Sequence, residues 1–171
     1  RDIGACGGEY YDRVSTHAVI DFLDRYEQTM PFYLQVGLVN PHDICEYLHN
    51  HEQKTIPGPI EQDMLSIEDL PPLPDNFDYD KRETLLQQLF HRDEKPIMHA
   101  PIFNGIRNWT ETQWRYLAWN HHRFVEAADQ QIGLILNALE KSRFRDNTLI
   151  IFSADHGESK GRHRAFQKFS L

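Results

Sequence analysis

A chain of 171 residues, 40% hydrophobic and 26% charged, is long enough to bury a core and has the composition of an ordinary globular protein. Its formal net charge of -8 argues against a nucleic-acid or anionic-membrane surface, since both need clustered Lys and Arg, and it suits a carboxylate-lined cation site. No apolar run approaches the ~20 residues of a membrane span. Cys6 and Cys45 are too few for a disulfide framework, and neither stands in a Cys-x-x-Cys metal pattern. Arg1 is no initiator and no signal peptide is visible, so the expectation is an internal segment whose targeting information lies elsewhere.

In chain order, residues 15–30 place Ala18, Val19, Phe22, Leu23 and Tyr26 on one helical face, with Ser15 or Thr16 as cap and Pro31 as the stop. Phe32–Val39 reads as a buried strand, of the kind covered on both faces, and it ends in the turn Asn40-Pro41-His42-Asp43. From about His49 to Asp80 the chain is rich in Pro, Asp and Asn, a long excursion of the kind that shapes clefts. A short helix over 81–92 and an irregular stretch over 93–108 follow, so 49–108 as a whole forms a variable insertion. The spacing predicts the clearest helix from Thr110 to about Lys141, opened by the capping box Thr110-Glu111-Thr112-Gln113, either continuous or broken near Asn120-His121-His122. Asp146-Asn147 is the turn before a second buried strand, Thr148–Ser153, which ends in Ala154-Asp155-His156-Gly157-Glu158. Helix, strand and polar turn, repeated, is an α/β pattern.

Ligands in open α/β sheets bind beyond the carboxyl ends of the strands. Both strands here end in ionisable turns, which share one sheet edge if the strands are parallel. Asp155 and His156, followed by a glycine that lets the backbone turn away, suit a cation; a turn that merely solvates its polar groups is the plainer alternative. The stretch Gly157–Lys168 adds Lys160, Arg162, His163, Arg164 and Lys168, a basic neighbourhood fit to receive sulfate or phosphate, or simply a solvated loop. His42 could contact an anionic oxygen or shuttle a proton. His121 and His122 are adjacent rather than four apart and read as surface or packing residues. Asn108-Trp109-Thr110 fits a glycosylation sequon and a helix cap, and the cap is favoured.

Taken together, PFYLQVGLVNPHD, AADQQIGLILNALEKSRFRDNTLIIFSADHGE and GRHRAFQK resemble the sulfatase family of the alkaline phosphatase superfamily, with Lys168 thirteen positions after Asp155. The resemblance covers residues 10–48 and 110–171, while LPPLPDNF is similar only in style to sulfatases that act on carbohydrates. It implies an α/β fold, part of a sandwich whose mostly parallel central sheet is flanked by helices. It implies that Asp155 and His156 ligate calcium, with manganese or zinc as alternatives. His42 and Lys168 would contact the sulfate, one or the other of them stabilising or protonating the leaving alcohol, and His163 would stand near the pocket as a further sulfate-binding residue. A formylglycine nucleophile, made from Cys or Ser in Cys/Ser-x-Pro-Ser-Arg, is implied together with an early Asp-Asp pair. Neither Cys6 nor Cys45 fits that motif, so the nucleophile is expected in a preceding segment and this chain alone is expected to be inactive. The partner implied is a sulfated small molecule or carbohydrate, and the compartment periplasmic, secreted or lysosomal. The alternatives are a phosphate or phosphonate ester hydrolase of the same superfamily and a non-catalytic anion- or carbohydrate-binding remnant. Oligomeric state is not legible.

Overall fold

The computed structural model describes residues 7–45, 66–85, 88 and 109–165. The chain divides into two compact units, residues 1–46 with 122–153 and residues 47–121 with 154–171.

In the first unit, helix α1 spans Gly8–Arg25 after Gly7, whose φ of 62° lies in the left-handed region. It starts earlier than the apolar periodicity suggests. Thr16 sits in mid-helix and is buried, so it is not a cap. The buried stripe is Asp12, Thr16, Val19 and Leu23, at the spacing of one helix face, and half of it is polar. That polarity is why the periodicity missed the first two turns. The helix ends at Arg25, before Pro31 acts. Tyr26 turns extended, and Arg143 donates to the Tyr26 carbonyl and, at 3.2 Å, to that of Gln28. A basic residue at a helix C-terminus satisfies such orphan carbonyls. The rings of Phe22, Tyr26, Phe32 and Phe144 pack at centroid distances of 5.0–6.0 Å, with Phe32 and Phe144 edge to face at 5.1 Å.

The polar half of the α1 stripe holds a turn in place. Asp12 Oδ1 accepts the Val39 N–H at 2.5 Å and Oδ2 the Asn40 N–H at 3.1 Å. Asp43 Oδ2 accepts the N–H of Gly8 at 2.7 Å. Buried amides left without partners are costly, and these carboxylates satisfy three of them. Gly8 is required here for closeness: a Cβ would meet Asp43 Oδ2 at 2.7 Å and Asn40 Cγ at 2.9 Å. The Asn40–Pro41 peptide is cis.

Helix α2 spans Glu111–Lys141 without a break, so the open question at Asn120-His121-His122 is settled as one helix. Thr110 opens it as expected: its N–H donates to Gln113 Oε1 at 2.8 Å, and Gln113 N–H donates back to Thr110 Oγ1 at 3.3 Å. Residues through His121 count in the second unit and the rest in the first. Asn120 and His121 are buried, the former donating to the Tyr116 carbonyl at 3.1 Å. After α2 a 3-10 turn, Arg145–Asn147, forms where the Asp-Asn pair suggested one.

In the second unit Trp109, Trp114, Leu117 and Leu70 are buried. The Pro-rich excursion is tied down by Arg115, whose guanidinium donates to the carbonyls of Ile67, Leu70 and Pro71 at 2.8–3.1 Å. Charged donors make the stronger hydrogen bonds, and prolines leave their carbonyls free to accept them. Residues 49–65 and half of the helix expected over 81–92 lie outside the described residues.

The two expected strands differ from expectation. Among the described residues no strand ladder forms, and the apolar runs are exposed rather than buried: Tyr33 is 87% exposed, Leu149 87%, Ile151 82% and Phe152 78%. A strand is buried by neighbours that take its N–H and C=O groups, and such neighbours need not be near in sequence.

Two outcomes follow from this packing. The isolated chain is expected to associate through its exposed apolar runs. Leu149→Ser with Ile151→Lys should shift it toward monomer in sedimentation velocity, while changing folding stability by no more than about 0.5 kcal/mol; a sharp unfolding transition from a monomeric parent sequence would contradict this. Asp12→Ala should lower stability by about 1–3 kcal/mol in urea titration through its orphaned amides, with Asp12→Asn intermediate because one acceptor survives.

Candidate functional site

His42 stands in the turn that Asp12 and Asp43 fix. Its N–H donates to the Val39 carbonyl at 3.0 Å, and Ile44 and Cys45 close the next bonds, to Pro41 and His42 carbonyls, at 3.1 Å. Asn40, Asp43 and Ile44 are buried while His42 is exposed. The turn therefore faces its structural residues inward and leaves the imidazole accessible. Asp12, which fixes the turn from helix α1, is what the sequence failed to mark as important.

Asp155 and His156 belong to the second unit. Asp155 Oδ1 accepts the His156 N–H at 3.0 Å, and its Oδ2 lies 3.3 Å from His156 Nε2. The other ring nitrogen, Nδ1, is 3.0 Å from the Gly157 carbonyl oxygen. That contact suits a proton on Nδ1 and leaves Nε2 as the lone-pair donor beside the carboxylate. Two ligands at right angles on a calcium ion, each about 2.3–2.6 Å from it, stand about 3.3–3.7 Å apart. The spacing of Oδ2 and Nε2 thus fits adjacent positions on one cation. Calcium takes six to eight ligands, as a rule of its chemistry, so this pair can supply only part of a shell. Among the described residues no group of three or more His, Cys, Asp and Glu is gathered to hold a metal.

Part of the basic stretch after Gly157 is engaged within the protein. Arg164 pairs with Asp78 at 3.1 Å and its guanidinium lies over the rings of Phe77 and Tyr79 at 4.9 and 5.5 Å. His163 Nδ1 lies 3.4 Å from Glu83 Oε1. Burial, and next Arg162, push the Lys160 ammonium below the usual lysine value, while Glu158 opposes them. Asp78 and Glu83, both from the 49–108 insertion, were not marked by any sequence signal. Lys168 lies outside the described residues, as does Cys6. The structure brings Asp155 and His156 together, and places His42 in the other unit.

The family model described as Sulfatase matches residues 2–169. Mouse iduronate 2-sulfatase is 30% identical over 171 aligned residues, covering 95% of this chain and 28% of that protein. The Δ4,5-hexuronate-2-O-sulfatase of Bacteroides thetaiotaomicron is 27% identical, covering 81% of this chain and 27% of its own length. The solved structure of a 2-O GAG sulfatase superposes with a TM-score of 0.74 at 21% identity, over 95% of this chain and 32% of that one, which speaks for the fold. This chain spans under a third of each of these proteins. With the family model matching residues 2–169, nearly its whole length, the chain belongs to the sulfatase family.

Proposed function

We propose that the protein containing this chain is a sulfuric ester hydrolase acting on sulfated carbohydrate, and that this chain supplies part of its metal and sulfate site. The family match over residues 2–169 carries the reading. Within it, Pro41-His42, Asp155-His156-Gly157 and Lys168 follow one another in the order the resemblance requires. Two relatives are named for sulfate esters at position 2 of uronic acids, so uronate 2-sulfates are the first substrates to assay. The fold accompanying this reading is the α/β sandwich, with residues 32–39 and 148–153 as strands of its central sheet.

In this reading Asp155 and His156 ligate the metal. A bound calcium ion, or manganese or zinc in its place, would draw charge from the sulfuryl oxygens. The formylglycine nucleophile belongs to another part of the protein. Lys168 neutralises charge that builds on the sulfate as the S–O bond breaks, and His42, exposed on a rigid turn, hands a proton to the departing alcohol. His163 lies in the same stretch as Lys168, with a role taken up below. The site works outside the cytosol, in a periplasmic, secreted or lysosomal compartment. No helix among the described residues is long and apolar enough to cross a membrane.

The intact protein should release sulfate from a 2-O-sulfated uronide in a metal-dependent manner. Lys168→Ala should reduce turnover by roughly 10²–10³, the scale of losing one preorganised charge stabiliser. Near-normal turnover in that variant would remove Lys168 from the site. Release of phosphate from phosphate esters, with sulfate esters untouched, would turn the reading to a phosphoester hydrolase. Binding of the sulfated sugar without hydrolysis would turn it to a binding remnant.

A further inference from the structure

Among the described residues three non-glycine residues have positive φ, and they lie in one short stretch: Lys160 at 49°, His163 at 52° and Arg164 at 53°, with Gly161 at 89° between them. Left-handed backbone is unfavourable for residues with a Cβ and persists only where the surroundings over-determine it. Here the surroundings are residues 76–83 of the insertion. The Asn76 carbonyl accepts the His163 N–H at 2.7 Å. Asp78 and the rings of Phe77 and Tyr79 hold Arg164. Gly161 stands against Phe77 and Trp114, where an added Cβ would lie 3.5 Å from each ring.

The His163 ring completes this clamp. Nδ1 is buried and lies 3.4 Å from Oε1 of Glu83, an ion-pair distance without hydrogen-bond alignment. The Glu83 side chain is 5% exposed, and the same oxygen accepts the Asp80 N–H at 3.1 Å. Nε2 lies 3.5 Å from Asn76 Nδ2. A proton on Nδ1 gives both contacts the right polarity: N–H toward the carboxylate, lone pair toward the amide N–H. A proton on Nε2 alone would set a lone pair against the carboxylate and an N–H against an N–H. An anion contact from His163 would need an N–H aimed at the anion. In this arrangement the N–H faces Glu83 instead.

We infer that His163 is a positioning residue and that Glu83 is its partner: the buried carboxylate fixes the Nδ1–H tautomer, and the pair pins the left-handed stretch between Asp155-His156 and Lys168. This gives His163 a role other than the sulfate contact that the resemblance implies. The consequence for turnover rests on the sulfatase reading, whereas the tautomer does not.

The test is the ¹⁵N-imidazole spectrum of the full chain at neutral pH, with His163→Gln used to assign the resonance. The expected result is the Nδ1–H tautomer in the unaltered protein, its retention in Glu83→Gln, which keeps an acceptor oxygen, and its loss in Glu83→Ala. An Nε2–H tautomer in the unaltered protein would overturn the inference, as would a Glu83→Ala spectrum identical to the parent's. Should Glu83→Ala fail to fold, the unaltered protein and Glu83→Gln still decide it. In the intact enzyme, Glu83→Ala should lower kcat by up to about 100-fold with KM little changed, and Glu83→Gln should recover most of it. A rise in KM with kcat preserved would place the pair in substrate binding and overturn the positioning role. A protein without sulfatase activity would sink the proposed function, while the tautomer would still settle the pairing.

Discussion

The first unit depends on one buried carboxylate. Asp12 projects from the second turn of α1 and takes the backbone amides of Val39 and Asn40, where an apolar run gives way to a turn. Asp43 answers from the other side by accepting the first amide of the same helix. Each bond satisfies a group that burial would otherwise leave unpaired, so helix and turn are mutually specified. His42 contributes none of these contacts through its ring and is free to face outward. Its direction is set by neighbours that do no chemistry.

The second unit uses the same device with different residues. Arg115 gathers three carbonyls of the Pro-rich excursion onto α2. The excursion, with Glu83 just beyond it, in turn gathers residues 161–164 through Asn76, Phe77 and Asp78. A stretch of unusual backbone near the Asp155-His156 pair is thereby held from a segment about eighty residues away in sequence. An insertion that looks like a variable decoration serves as scaffold for ionisable residues.

What could be read from the sequence was what local physics decides. The Thr110-Gln113 box is a contact between residues three apart, and it opens α2 as its residue types require. The turn at Asp146-Asn147 is local in the same sense. The start of α1 was missed because Asp12 and Thr16 occupy its buried stripe, where periodicity looks for apolar residues. Phe32–Val39 and Thr148–Ser153 have the composition of buried strands, but composition does not supply the ladder partners that would bury them. The partnership of Glu83 with His163 joins distant residues and leaves no mark in either neighbourhood. The cysteines were readable only as unsuited to become the nucleophile.

The central proposal, carried by the resemblance to sulfatases, is that His42, Lys168, Asp155 and His156 serve one sulfate-and-metal site in the intact protein. The most direct test is a crystal structure of that protein with bound sulfate and its metal, the metal identified by anomalous scattering. The account predicts Asp155 and His156 within about 2.3–2.6 Å of the metal, and His42 and Lys168 within about 3.2 Å of sulfate oxygens. A metal ligated elsewhere, or a sulfate that neither His42 nor Lys168 touches, would contradict it.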